Sequence, residues 1–113
     1  NYDEFKTSIF KDKSPDDLTT YDITDGVEKN DAFCKRVFNQ WIYYMFVGLV
    51  SLTDIFNPDC IVISGGMCRF IDVEQMEKDI NKETVVTDVK VKIAQTENRA
   101  GMIGAGVLAL EQI

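Results

Sequence analysis

The 113-residue chain carries 19 acidic and 12 basic side chains, three cysteines and no histidine, with 45% hydrophobic and 27% charged residues. That size and balance describe a globular, soluble chain that forms one domain or part of one. Ser-His and Cys-His nucleophiles and His-bound metal are excluded within it, and the lack of any Lys/Arg stripe leaves no electrostatic footprint for DNA or RNA.

Residues 1–30 read as polar and irregular with short helices. Residues 1–31 hold nine acids against four lysines, and the rest of the chain is close to balanced. Such an acidic segment is repelled by an anionic membrane surface, and solubility is the simplest account of the excess. Ser14-Pro15-Asp16-Asp17 reads as a helix start, with Ser14 as N-cap and Pro15 at the first helical position. A second short helix is expected around Tyr21–Glu28.

Asn30 or Asp31 can cap the next element. Phe33, Val37, Trp41, Tyr44, Met45, Gly48, Leu49, Leu52, Ile55 and Phe56 recur at three- and four-residue spacing, which predicts a helix over 31–56. Its middle is apolar almost all round, so the helix is expected to be buried between layers. The apolar run Trp41–Val50 has ten residues, half of what a membrane span needs. Gly48 marks either a close crossing or a tolerated glycine. Asn57-Pro58 ends the helix, because the residue before proline is pushed out of the α region.

Ile61-Val62-Ile63 then reads as a strand buried on both faces, as in the middle of a parallel sheet. It stops at Ser64-Gly65-Gly66. Glycines at the carboxyl end of a strand let the backbone turn sharply and approach a ligand, and that end is where open α/β sheets bind ligands. The alternative is a plain strand-to-helix turn. Cys34, Cys60 and Cys68 show no Cys-x-x-Cys spacing, so they read as free thiols of a cytoplasmic protein.

A helix over 72–81 follows, then Val89-Lys90-Val91-Lys92-Ile93, whose alternation predicts a strand with one buried face near a sheet edge. Asn98 can cap a last helix, 99–112. Gly101, Gly104 and Gly106 cost that helix about 1 kcal/mol each, which points to close approach to the sheet, the long helix or a ligand. The order is helix-strand-helix-strand-helix: an α/β chain with a long buried helix packed on a small sheet. Two strands make a poor sheet, so the chain is expected either to pair with strands outside it or to bury surface in a homo-oligomer.

Three blocks stand at defined spacing. They are the helix end Val47-Gly48-Leu49-Val50-Ser51-Leu52-Thr53-Asp54-Ile55-Phe56-Asn57-Pro58, the strand and turn Ile61-Val62-Ile63-Ser64-Gly65-Gly66, and the closing Asn98-Arg99-Ala100-Gly101-Met102-Ile103-Gly104-Ala105-Gly106. Together, over roughly residues 20–113, they resemble the C-terminal part of ROK-family proteins, which include ATP-dependent sugar kinases and sugar-responsive repressors.

The resemblance implies a partial RNase-H-like lobe of the actin-like ATPase superfamily, residues 31–113 being the nucleotide-side lobe. Ser64, Gly65 and Gly66 would then form the adenosine-side turn, with Gly104 and Ala105 packing the last helix behind it. Arg69 corresponds to a basic residue that stacks on adenine in related heat-shock ATPases; a solvated arginine is the alternative. Ser64 stands where most family members have the first of three glycines.

The family's phosphate-binding Asp-x-Gly turn, catalytic aspartate and His/Cys zinc segment belong upstream and have no counterpart here; Asn30-Asp31 is a cap and not the catalytic pair. The implied partners are ATP, with Mg²⁺ held mainly by the missing lobe, and a sugar bound by that lobe. A repressor with an upstream DNA-binding module and a free-standing dimerisation domain are the other two readings.

Overall fold

The computed structural model describes residues 3–86, 88–96 and 99–112. Among them are four α-helices and one two-stranded parallel sheet: α1 (Thr20–Glu28), α2 (Ala32–Phe56), β1 (Cys60–Ile63), α3 (Val73–Glu83), β2 (Lys90–Ile93) and α4 (Ala100–Glu111). The chain divides into two compact units, Asn1–Val47 and Gly48–Ile113. The expected helix-strand-helix-strand-helix order holds from α2 onward.

In the first unit, residues 3–30 are more ordered than their polar composition suggests. Asp3–Thr7 and Pro15–Asp17 form 3₁₀ helices. Ser14 is the N-cap of the second and Pro15 its first residue, as read from the sequence, although the Ser14 hydroxyl makes no capping bond. The working cap lies further on. Thr19 and Asp22 form a reciprocal capping box at the start of α1, which satisfies two of the helix's orphan N–H donors.

Asn30 ends α1 in the left-handed conformation, φ 60°. The N–H of Asn30 donates to Val27 O (3.1 Å) and that of Asp31 to Gly26 O (2.8 Å), the pairing of a Schellman close. Asp31 then caps α2 at once, its Oδ2 accepting the Cys34 N–H at 3.0 Å. Both residues proposed as the cap are therefore used, one for each helix. Phe33 and Cys34 are buried at the start of α2, and the Phe33 ring meets the Phe5 ring edge-on at 4.9 Å.

In the second unit, α2 stops at Asn57, which takes φ 46° ahead of Pro58, as the Asn-Pro signal predicts. β1 and β2 pair in parallel, with Cys60, Ile61, Val62 and Ile63 opposite Lys90, Val91, Lys92 and Ile93. Asp72 caps α3, accepting the Gln75 N–H at 3.1 Å. From α3, Met76 and Ile80 join Val89 and Val91 in the core, with Cys68 and Ile71 also buried. Asp54, near the end of α2, ties down the far end of α3. Its Oδ1 accepts the Thr84 hydroxyl and the Val85 N–H (3.0 Å).

Two burial expectations are overturned. The long helix is not enclosed: Tyr43, Tyr44, Val47, Leu52, Ile55 and Phe56 are all exposed. Nor is β1 covered on both faces, since Val62 is 61% exposed. The reason is supply of surface. A 25-residue helix is about 37 Å long at 1.5 Å per residue, and four-residue strands in a two-stranded sheet cannot cover it. The expectation for β2 fares better, with Val89 and Val91 buried and Lys90 and Lys92 turned outward. No described helix is long and apolar enough to cross a membrane.

Candidate functional site

Because the two strands are parallel, their carboxyl ends lie on the same side of the sheet, where loops are free to meet a ligand. β1 ends at Ile63, and the chain turns through Ser64, Gly65 and Gly66. Ser64 and Gly66 are exposed. Gly65 has φ 118°, a backbone region that strains any residue with a Cβ. The turn is closed by the Cys68 N–H donating to Gly65 O at 3.3 Å. A 3₁₀ helix, Cys68–Phe70, follows and is anchored by buried Cys68 and Ile71.

Among the described residues the N–H groups of Gly65 and Gly66 have no protein partner. Arg69 is exposed, and its guanidinium carbon sits 4.9 Å from the centre of the Phe70 ring. The four residues singled out from sequence thus lie close together in the chain after a strand's carboxyl end, Ser64, Gly65 and Gly66 in the turn and Arg69 in the 3₁₀ helix that follows it. What they offer is chemically plain: main-chain donors, one hydroxyl and one planar cation. These bind, and none of them moves a proton. No group of three or more His, Cys, Asp or Glu able to hold a metal occurs among the described residues.

Of the glycines of the other blocks, Gly48 follows the tolerated-glycine alternative, while the close approach expected for Gly101, Gly104 and Gly106 is absent. A Cβ added at Gly48, Gly101, Gly104 or Gly106 would meet nothing within 4 Å, and all of α4 is exposed. Gly104 and Ala105 therefore do not pack α4 behind the turn in this chain. The larger side chains of α4, Met102, Leu108 and Leu110 among them, are exposed, and the two strands present no surface broad enough to seat it. Asn98, read as the cap of that helix, lies outside the described residues.

Sequence reasoning missed one close packing position. At Gly26 an added Cβ would lie 2.2 Å from Cys34 Sγ, which forces glycine where α1 crosses the start of α2. It also undervalued Asp31, which is buried and does more than cap. Asp31 Oδ1 accepts the Ile9 N–H (3.0 Å) and Oδ2 accepts the Ser8 hydroxyl (2.9 Å). Burial pushes this carboxyl up, but the N–H groups of Ile9 and Cys34, the Cys34 thiol and the Ser8 hydroxyl outweigh it and hold it below the ordinary aspartate value. Burial first, and then the Asp31 carboxylate, push the Cys34 thiol up to about 12. Asn30-Asp31 is thus a structural joint, as its position before a long apolar helix suggested.

The same unit holds a cleft of about 720 Å³ lined by Phe5, Pro15, Leu18, Ile23, Phe33 and Val37, with Asp3 and Lys6 beside them. Those two charges pair with each other at 3.6 Å on the surface. The cleft is apolar and brings no reactive group together.

A sequence profile of the ROK family matches residues 6–112. The chain belongs to the ROK family. Among curated relatives it is similar to a glucokinase of Halalkalibacterium halodurans, at 30% identity over 100 residues that cover 84% of this chain and 30% of the relative. It is also similar to an uncharacterised protein of Clostridium perfringens, 26% identical over 87% of this chain and 35% of the relative. A xylose repressor of Caldicellulosiruptor bescii matches at 19% identity over 87% of this chain and 26% of the relative. This ROK chain therefore spans about a third or less of the curated relatives it matches, which include both a kinase and a repressor.

Proposed function

We propose that these residues form the C-terminal, nucleotide-side lobe of an ATP-dependent sugar kinase. The observation that carries this reading is the exposed Ser64-Gly65-Gly66 turn at the carboxyl end of a parallel strand, in a chain 30% identical to a glucokinase. The family implies an actin-like ATPase fold, in which two RNase-H-like lobes close on ATP. Ser64, Gly65, Gly66 and Arg69 would hold its adenosine side. When bound, ATP supplies the γ-phosphoryl group that passes to a sugar hydroxyl.

The residues present suit that role. Gly65 and Gly66 bring N–H donors that have no partner among the described residues, with no Cβ between them and a ligand, and Arg69 presents a flat cation of the kind that stacks on aromatic rings. Their contribution is positioning, a large share of phosphoryl-transfer catalysis. Mg²⁺ and the catalytic aspartate would belong to the rest of the family-length chain. Such a kinase would work in the cytoplasm, and as a homo-oligomer.

Half a nucleotide pocket binds weakly. By calorimetry the isolated chain should show no micromolar ATP affinity, and finding one would contradict the lobe assignment. In the family-length protein, Gly65→Ala should raise the KM for ATP about tenfold, because forcing a Cβ into a positive-φ position costs roughly 1–2 kcal/mol and about 1.4 kcal/mol is tenfold. An unchanged KM would remove this turn from the nucleotide site. The xylose repressor relative supports a second reading, a sugar-sensing repressor. Sugar-dependent ADP formation marks the kinase; sugar-released DNA retention without ADP formation marks the repressor.

A further inference from the structure

Several basic side chains of the chain are committed to acids. Lys13 pairs with Asp22, Lys29 with Asp25 and Lys90 with Glu77. Arg36 meets both carboxylate oxygens of Glu4, at 2.9 and 2.8 Å. Arg69 answers to no acid among the described residues, and it is exposed. What it meets is an aromatic ring. Its guanidinium carbon lies 4.9 Å from the centre of the Phe70 ring, within the distance at which a cation and an aromatic face attract.

Phe70 is a firm support. Cys68 and Ile71, on either side of the Arg69-Phe70 pair, are 3% and 7% exposed. The Phe70 N–H donates to Met67 O (3.1 Å) and the Ile71 N–H to Cys68 O (3.2 Å), and the ring itself is half-buried. An arginine side chain is long and rich in rotamers, so ordering it on a ligand is costly. A guanidinium already laid against a ring has lost part of that freedom before the ligand arrives. Its other face and its N–H edge stay open beside the Ser64-Gly65-Gly66 turn.

We propose that Phe70 is a positioning residue for the nucleotide. It holds the Arg69 guanidinium so that the face turned away from the ring receives the base, in a three-layer stack of Phe70, Arg69 and base. The proposal rests on the nucleotide-side reading of the turn. Such a stack reads the flatness of a base and not its edge groups, so it serves ATP and GTP alike and gives nothing to a polyphosphate without a ring.

Steady-state kinetics of the family-length protein test it. Phe70→Leu should raise the KM for ATP and for GTP about threefold, the worth of an exposed cation–π contact, with kcat and the KM for sugar unchanged. Phe70→Tyr, which keeps a ring, should restore both. Arg69→Lys, an exposed change that keeps the charge and loses the plane, should raise the same two values, and a wild-type KM in it would overturn the stack. Competitive inhibition by inorganic tripolyphosphate should stay as it is in Phe70→Leu; a weakening equal to that of ATP would put Arg69 on the phosphates and overturn the stack. In an Arg69→Ala background Phe70→Leu should cost nothing more, and a further rise in KM would overturn the positioning role. If Gly65→Ala raises the KM and Phe70→Leu does not, the stack falls while the nucleotide reading of the turn stands. If neither moves it, both fall.

Discussion

Gly26 has no room for a side chain, with Cys34 Sγ 2.2 Å and Cys34 Cβ 2.6 Å from where its Cβ would be. Gly26→Ala should destabilise the first unit by about 1–3 kcal/mol, the usual range for overpacking. It should appear as a lower urea midpoint at unchanged m-value. Its neighbour Asp31 answers four groups at once, so Asp31→Ala should cost about 2–3 kcal/mol, combining a lost N-cap with stranded buried donors. Because the folded state holds this carboxyl below its unfolded value, its stabilisation is complete above the unfolded aspartate pKa of about 3.9. It is then lost as pH falls through the folded value. A thermal melt series from pH 6 down to about pH 2 should show a loss that Asp31→Asn reduces, the remainder belonging to Glu4, Asp22 and Glu77, whose carboxyls are also held low. The Cys34 thiol, raised to about 12, stays protonated and inert at neutral pH. An alkylating reagent should label exposed Cys60 in the native chain and reach Cys34 only after denaturation.

Among the elements, α4 is the one with least to hold it. It carries three glycines, costing about 1 kcal/mol each relative to alanine, and every residue of it is exposed. In residues 1–113 alone, the amides of Ala105 and Leu108 should exchange at nearly unfolded rates while Ile80 on α3 stays protected. Equal protection at both would show that α4 is seated. The long elements were legible in sequence because their signals are local. The three- and four-residue spacing of α2, its Asn57-Pro58 stop and the alternation of Val89 to Ile93 all predicted what is observed. The turn at Ser64-Gly65-Gly66 was legible for the same reason, since paired glycines after an apolar run constrain the backbone directly. What escaped was non-local. Gly26 is explained only by Cys34, and Asn81 only by Val89 eight residues on, whose main chain its side-chain amide bonds, so periodicity reveals neither. The predicted burial of α2 and β1 failed because an apolar pattern records what a residue is suited to touch and not what the present chain supplies.

At the scale of the whole molecule, α2 (Tyr43, Tyr44, Ile55, Phe56) and α4 (Met102, Leu108, Leu110) leave large apolar side chains exposed, and exposed apolar surface of this kind promotes association. Residues 1–113 expressed alone should self-associate and bind a hydrophobic dye, and Ile55→Lys with Leu110→Lys should reduce both. Light scattering that shows a monomer without dye binding would contradict this. α3 grips β2 through its side chains: Asn81 bonds the Val89 N–H and carbonyl, and Glu77 accepts the Val91 N–H. Glu77 and Asn81 are four residues apart, about 6 Å along a helix, and Val89 and Val91 are two residues apart, about 6.6 Å along a strand. The two spacings agree, so α3 acts as a gauge laid against the strand. A slip of one residue would offer it Lys90 and Lys92, whose amides face the other way, Lys90 N–H donating to Asp59 O, and all three bonds would be lost. β2 is therefore fixed in its reading frame by α3, and β1 is paired to it residue for residue.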